Sequence, residues 1–168
     1  FLRLGLRPLD RVILQIGNTA KFFLVAYGCF KAGIVPVCTL AAHRESEIGF
    51  LAPFTAARAH IVQGNVPKFD LASFALELKA KSGVEWIVAA GGRARPGVLG
   101  LDRLIAGEDA AEARRTISSL RLDPWNIGIF QLSGGTTGLP KAIPRFHNDY
   151  LYNMQAVAAW VGIDASTV

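Results

Sequence analysis

The sequence predicts an α/β fold: a parallel sheet flanked by helices in the order βαβαβαβ, followed by a β-loop-β hairpin and a closing helix. Three observations carry that prediction. Short apolar runs rich in β-branched residues recur at 11–16, 34–39, 59–63 and 84–89. Segments with helical spacing separate them at 19–32, 43–55 and 69–81. Connections of that length suit crossovers between parallel strands, whose helices cover both faces of the sheet.

Residues 11–16 (RVILQI) form the first strand, and Gly17-Asn18-Thr19 a turn with N-cap chemistry. Residues 19–32 (TAKFFLVAYGCFKA) read as a mostly buried helix. Gly33 is its C-cap, because glycine enters the left-handed region without a Cβ clash. In the second strand, 34–39 (IVPVCT), Pro36 lacks a donor and is expected near the start or on an edge. His43-Arg44-Glu45-Ser46-Glu47 opens the second helix, and Glu45 and Glu47 suit its first turn through the helix dipole. Residues 59–63 (AHIVQ) are the third strand. The third helix, 69–81, puts Leu71, Phe74 and Leu78 on one face, and 84–89 (VEWIVA) is the fourth strand.

Beyond a loop at 91–97 (GGRARPG), 98–107 and 109–119 read as short helical pieces, and Asp123-Pro124 marks a boundary. A strand at 126–132 (NIGIFQL), a loop, a strand at 142–146 (AIPRF) and a helix from about Asn148 to Val161 complete the chain. Asn148 or Asp149 is the expected N-cap of that helix. The chain thus divides into an α/β layer, 1–122, and a hairpin with its helix, 123–168.

The 168 residues are 51% hydrophobic and 18% charged, which excludes a disordered or low-complexity chain. The longest apolar stretch, 22–42, is interrupted by Lys31 and Pro36, and its clean piece falls far short of the ~20 residues a bilayer span needs, so no membrane association is expected. The net charge of +5 is scattered. Its densest patches, Arg93/Arg95 and Arg114/Arg115, lack interleaved aromatics, so no nucleic-acid partner is expected. Cys29 and Cys38 form neither a CxxC pair nor a Cys/His cluster. They read as small buried hydrophobes of a reducing, cytoplasmic compartment, with no metal site. The sole methionine is Met154 and the chain opens Phe1-Leu2-Arg3, the mark of a piece of a longer protein.

Chemistry concentrates in Ser133-Gly134-Gly135-Thr136-Thr137-Gly138-Leu139-Pro140-Lys141, which sits between two apolar strands. Glycines let backbone N–H groups approach a ligand closely, and successive free N–H groups make an anion-binding concavity. Ser133, Thr136 and Thr137 can donate to phosphate oxygens, and Lys141 brings a full charge. At ~4 Å and an effective dielectric near 20, that charge is worth about 4 kcal/mol against one phosphate charge before desolvation. Ordering a flexible loop costs roughly 1–2 kcal/mol per residue, so a ligand with many acceptors, such as a triphosphate, is required to offset it. The loop is not a Walker A motif, because Leu139-Pro140 separates Gly138 from Lys141 and a strand follows. No G-x-G-x-x-G or G-x-S-x-G is present.

Leu132 and the nine residues after it resemble, at every position, the phosphate-loop motif of the adenylate-forming superfamily, an apolar residue followed by [STG]-[STAG]-G-[ST]-T-G-x-P-K. Leu6-Arg7-Pro8-Leu9-Asp10-Arg11-Val12 resembles the family's G-D-R-V opening, with Leu9 where glycine is common. The stretch from Asn18 to Pro36 resembles its helix-and-strand pattern ending in V-P. Three further stretches lean toward aryl-acid AMP ligases of siderophore pathways, of the 2,3-dihydroxybenzoate or salicylate type. They are His43-Arg44-Glu45-Ser46-Glu47-Ile48, Phe130-Gln131-Leu132-Ser133-Gly134-Gly135 and Ile143-Pro144-Arg145-Phe146-His147-Asn148-Asp149-Tyr150.

The resemblance implies the front part of a large N-terminal domain whose cofactors are ATP and Mg²⁺. The complete enzyme would form an acyl-adenylate from an aryl acid and pass it to the phosphopantetheine of a carrier protein or CoA. Ser133, Gly134, Gly135, Thr136, Thr137, Gly138 and Lys141 would hold the β- and γ-phosphates, with Thr136 and Lys141 as the catalytic pair. The adenine, ribose and acid pockets would lie past residue 168, so the isolated chain is expected to be inactive. A general acyl-CoA synthetase, a peptide-synthetase adenylation domain and a non-catalytic nucleotide-binding module are the alternatives. His147 reads as a helix N-terminal or core histidine, Arg145 as a strand arginine, and His43 and His60 as structural. Glu45 and Glu47 are not read as an acid/base pair, and Tyr150, Tyr152 and Trp160 are read as packing residues.

Overall fold

Strand β1 (Arg11–Gln15) occupies the middle of the sheet, and Val12, Ile13, Leu14 and Gln15 are all wholly buried. A computed structural model describes residues 1–134 and 138–167. After β1 come α1 (Ala20–Ala32), β2 (Val35–Cys38), α2 (Glu45–Phe54), β3 (Ala57–Gln63), α3 (Leu71–Ser82) and β4 (Trp86–Ala90). There follow β5 (Leu99–Gly100), α4 (Leu101–Ala106), α5 (Ala110–Ser119), β6 (Ile127–Leu132), β7 (Ala142–Phe146) and α6 (His147–Val161). The described strands form one sheet in the order β5-β4-β3-β1-β2-β6-β7. All pairs are parallel except the β6–β7 hairpin.

The step from β1 to β2 runs one way along the sheet, while β2 to β3 and β3 to β4 run the other way. Crossovers of a single hand must then place α1 opposite to α2 and α3. The core follows that rule. On one face Ile48, Leu51, Phe74 and Leu78 pack on Ile13, Val37, Val62 and Ile87. On the other, Val25, Cys29 and Leu101 pack on Val12, Leu14, Ile61 and Val88. Loops after β1 and β2 therefore leave toward opposite faces, the arrangement that opens a crevice at the carboxyl ends of parallel strands.

Local expectations are met at some points and corrected at others. Pro36 is near the start of its strand but not on an edge, since β2 lies between β1 and β6. Val35 and Thr39 donate their N–H groups to Asp10 O and Leu14 O, so by alternation Pro36 turns its donorless nitrogen toward β6. The β2–β6 register begins only at Val37↔Phe130. The piece at 98–107 contains a two-residue strand, β5, before its helix. Helix α6 starts at His147, with Phe146 at the cap and no side-chain cap bond. Asn148 and Asp149 fall in its first turn, where Asn148 Oδ1 accepts from the Asp149 N–H. Thr19 caps α1 by position alone, whereas Asp70 caps α3 by accepting from Ala72 and Ser73 N–H.

Helix α1 is buried on one face only, leaving Phe23, Leu24 and Tyr27 exposed. Tyr152 and Trp160, read as packing residues, are 74% and 87% exposed among the described residues. Gly33 does end α1 in the left-handed region, at φ 67°. At the amino ends of the strands, Arg58 ties Asp10 to Glu85, both at 2.7 Å. Beside them Leu9, standing where the resembled motif has glycine, has φ 70°. Among the described residues no helix is long and apolar enough to cross a membrane.

Candidate functional site

Strands β6 and β7 pair from Ile127↔Phe146 to Leu132↔Ala142 and carry the glycine-rich loop at their far end. The loop's mouth is closed by Ser133 and Lys141. Ser133 N–H donates to Lys141 O at 3.1 Å, and Lys141 N–H donates to Ser133 Oγ at 3.4 Å. That leaves the Ser133 hydroxyl hydrogen free to donate elsewhere. Gly134 and Gly138 are exposed, and a Cβ at either would meet nothing within 4 Å. Gly138 has φ 128°, a conformation that favours glycine. Gly135, Thr136 and Thr137 lie outside the described residues.

The parallel β2–β6 pairing brings this loop beside the carboxyl end of β2. Between them lies a cavity of about 440 Å³, a size typical of small-molecule sites. Ser133, Gly134, Gly138 and Pro140 contribute one part of its lining, Gln131 and Leu132 another. Cys38, Leu40, His43 and Glu47, from β2, the following loop and α2, supply the rest. The exposed Lys141 side chain is not among the lining groups; its backbone alone shapes the mouth.

The second wall was not legible as a site. His43 is half-buried, and its Nδ1 accepts from Leu40 N–H at 3.3 Å, so the neutral ring carries its proton on Nε2. Burial lowers the His43 pKa from its ordinary value, against the opposing pull of Glu47. Glu47 accepts from Arg44 N–H at 2.9 Å, and that bond holds its carboxyl below the usual range. The Arg44 guanidinium donates to Ala41 O and His43 O and lies 3.7 Å over the Phe69 ring, fixing the turn between β2 and α2. Cys38 is a protonated thiol, pushed up to about 11 by burial, and Cys29 is pushed up to about 12 for the same reason. Neither is poised as a nucleophile.

The other singled-out residues serve the frame. The His147 ring packs against Phe30, with centroids 6.2 Å apart, and against Gly128, where a Cβ would sit 2.8 Å from its Nδ1. Arg145 donates to Asp149 at 3.1 Å and lies 5.8 Å over the Tyr150 ring. His60 is buried on β3 and bonds Gln15, which in turn donates to Leu40 O and His43 O in the turn after β2. A second cleft, about 280 Å³, lies among Leu4, Leu24, Val25, Leu104 and Ile117. Its one arginine, Arg3, is already paired with Glu108 and Glu112, so it offers little to a phosphate.

A hairpin loop of glycines and hydroxyls at the carboxyl end of a doubly covered parallel sheet defines an α/β protein with the layout of a small-ligand site. Comparison with known proteins narrows that class. The chain belongs to the AMP-binding enzyme family, which it matches over residues 1–167. It is 38% identical to the vibriobactin-specific 2,3-dihydroxybenzoate-AMP ligase of Vibrio cholerae, over 93% of this chain and 28% of that protein. It is 34% identical to the salicyl-AMP ligase / salicyl-S-ArCP synthetase of Mycobacterium tuberculosis, over 98% of this chain and 28% of that protein. The apo structure of Mycobacterium smegmatis MbtA superposes with a TM-score of 0.76 at 34% identity, covering 94% of this chain and 28% of that one. The chain thus spans little more than a quarter of the length of these relatives.

Proposed function

We propose that the full-length protein is an ATP- and Mg²⁺-dependent ligase that adenylates an aryl carboxylic acid of the 2,3-dihydroxybenzoate or salicylate type. It then transfers the acyl group to the phosphopantetheine thiol of a carrier protein or CoA, in siderophore biosynthesis. The observation that carries this reading is the cavity under the Ser133–Lys141 loop, in a chain of the AMP-binding family whose relatives act on hydroxylated aryl acids. A carboxylate oxygen of the acid attacks the α-phosphorus of ATP. The new C–O–P linkage forms as the bond to the β-phosphate breaks, and pyrophosphate leaves. The thiol then attacks the acyl carbonyl, forming a thioester and releasing AMP.

In this scheme Ser133, Thr136 and Thr137 donate to the β- and γ-phosphates, and Gly134, Gly135 and Gly138 let backbone N–H groups approach them. Lys141 swings its charge over the mouth and steadies the departing pyrophosphate. Glu47 in the opposite wall would repel a bare polyphosphate, and Mg²⁺ bound with the nucleotide would supply compensating charge there. Most of the catalytic power asked of these groups is positioning and stabilisation of developing charge.

ATP–pyrophosphate exchange on the full-length protein tests the reading. Exchange dependent on 2,3-dihydroxybenzoate or salicylate is expected, with negligible exchange from the isolated 168-residue chain. Exchange driven only by fatty acids or by amino acids would assign an acyl-CoA synthetase or a peptide-synthetase adenylation domain instead. Nucleotide binding with no exchange for any acid would leave a non-catalytic binding module.

A further inference from the structure

Two polar side chains stand in the middle of the apolar sheet. Gln15 on β1 is wholly buried and His60 on β3 is 2% exposed. Their atoms join in one line. His60 Nε2 lies 2.9 Å from Gln15 Oε1, and because an amide oxygen can only accept, the His60 proton must sit on Nε2. Gln15 Nε2 spends both of its hydrogens on the turn after β2, donating to His43 O at 2.9 Å and to Leu40 O at 3.3 Å. Burial drives the His60 pKa down to about 3, so the ring stays a neutral donor over the working range of pH. The Arg44 guanidinium grips the same turn from its outer side, at Ala41 O and His43 O.

A buried polar pair of this kind contributes little net stability, since apolar residues of similar shape would often serve as well. What distinguishes Gln15 is where it points. The turn it holds carries Leu40 and His43 into the lining of the cavity, and Glu47 follows in the first turn of α2. We propose that Gln15, backed by His60, is a positioning residue that fixes the Leu40–His43 wall at its working distance from the glycine-rich loop. The claim rests on reading that cavity as the polyphosphate site. Gln15 touches no substrate; it acts through the carbonyls of Leu40 and His43.

The test uses the full-length protein and Gln15→Met, which keeps side-chain length and removes all three hydrogen bonds. The KM for ATP in pyrophosphate exchange is expected to rise about five- to tenfold, with kcat and the KM for the acid each within about twofold of wild type. His60→Leu, which removes only the backing donor, raises the ATP KM less, and His60→Gln, which can donate again, moves it back toward wild type. Hydrogen–deuterium exchange gives a readout free of activity: amides of 40–44 exchange faster in Gln15→Met, while those of β1 and β3 keep their protection. An unchanged ATP KM with unchanged exchange at 40–44 overturns the proposal. So does a uniform loss of protection through β1 and β3 with an unchanged KM, the mark of a mere core filler. If Gln15→Met does not fold, the two His60 variants decide by the same measurements. If the wild-type protein adenylates no acid, the functional reading fails, and deuterium exchange at 40–44 still decides whether Gln15 sets the turn.

Discussion

The strands β1, β3 and β4 and the hairpin β6–β7 with α6 are built on different physics. Along β1 every residue after Arg11 is wholly buried, and β3 and β4 are buried nearly as completely. In β7 and α6, by contrast, no described residue is buried. The first region takes its shape from apolar side chains packed on both faces, so volume decides what it tolerates. The second takes its shape from backbone: the φ of Gly138, the reciprocal bonds of Ser133 and Lys141, and the register shift that seats His147 beside Gly128. The lesson is a division of labour, in which the rigid layer supplies stability and the hairpin holds out the loop that we propose grips the polyphosphate.

The largest expected effect falls on the buried layer. Ile61 is wholly buried on β3, and Ile61→Ala is expected to cost about 2–5 kcal/mol of stability in urea unfolding of the full-length protein. Turnover per folded molecule should stay near wild type. A loss of turnover at an unchanged midpoint would break the contrast between the two regions. Lys141→Ala is the mirror experiment. It should lower adenylation about 10²–10³-fold, while the exposed position leaves stability within about 0.5 kcal/mol of wild type. Full adenylation by Lys141→Ala would demote the loop to a scaffold.

The next effect sharpens the contrast through pH. The His60 pKa is about 3 in the folded protein against an ordinary 6.5. Below the ordinary value the unfolded chain binds a proton that the folded protein refuses, so stability is present above pH 6.5 and is lost as pH falls toward 3. The slope in that window approaches about 1.4 kcal/mol per pH unit. His60→Gln should flatten this part of the curve in urea titrations at stepped pH, and an equal slope in the variant would refute the assignment. The smallest effect is at Leu9, whose φ of 70° strains a side chain that glycine lacks. Leu9→Gly is expected to raise the thermal midpoint slightly, by less than about 1 kcal/mol of stability, because relief of strain exceeds the extra entropy of the unfolded chain.

The sequence disclosed whatever is set locally. The end of α1 was legible because Gly33 both stops the helical pattern and takes the left-handed conformation. The alternation of strands and helices was legible because each buried strand is a short β-branched run flanked by turn residues. β5 was missed because two residues hold too little periodicity to distinguish them from the helix they precede. The N-cap of α6 was misplaced because the hairpin, through His147 N–H to Asn126 O and Asn148 N–H to Pro124 O, satisfies donors that a side chain would otherwise cap. The glycine-rich half of the candidate site stood out by composition. His43 and Glu47 did not, because they reach the cavity only through the pairing of β2 with β6, strands separated by some ninety residues of chain, and nothing near His43 announces that neighbour.

The proline in β2 has one more effect. By withholding a ladder donor on its β6 side, Pro36 leaves the lower half of that junction unstitched, and the two strands are joined only above it. The sheet therefore has a seam on that side of β2, where the packing of Val37 against Phe130 and Leu132 in the shared core stands in for ladder hydrogen bonds.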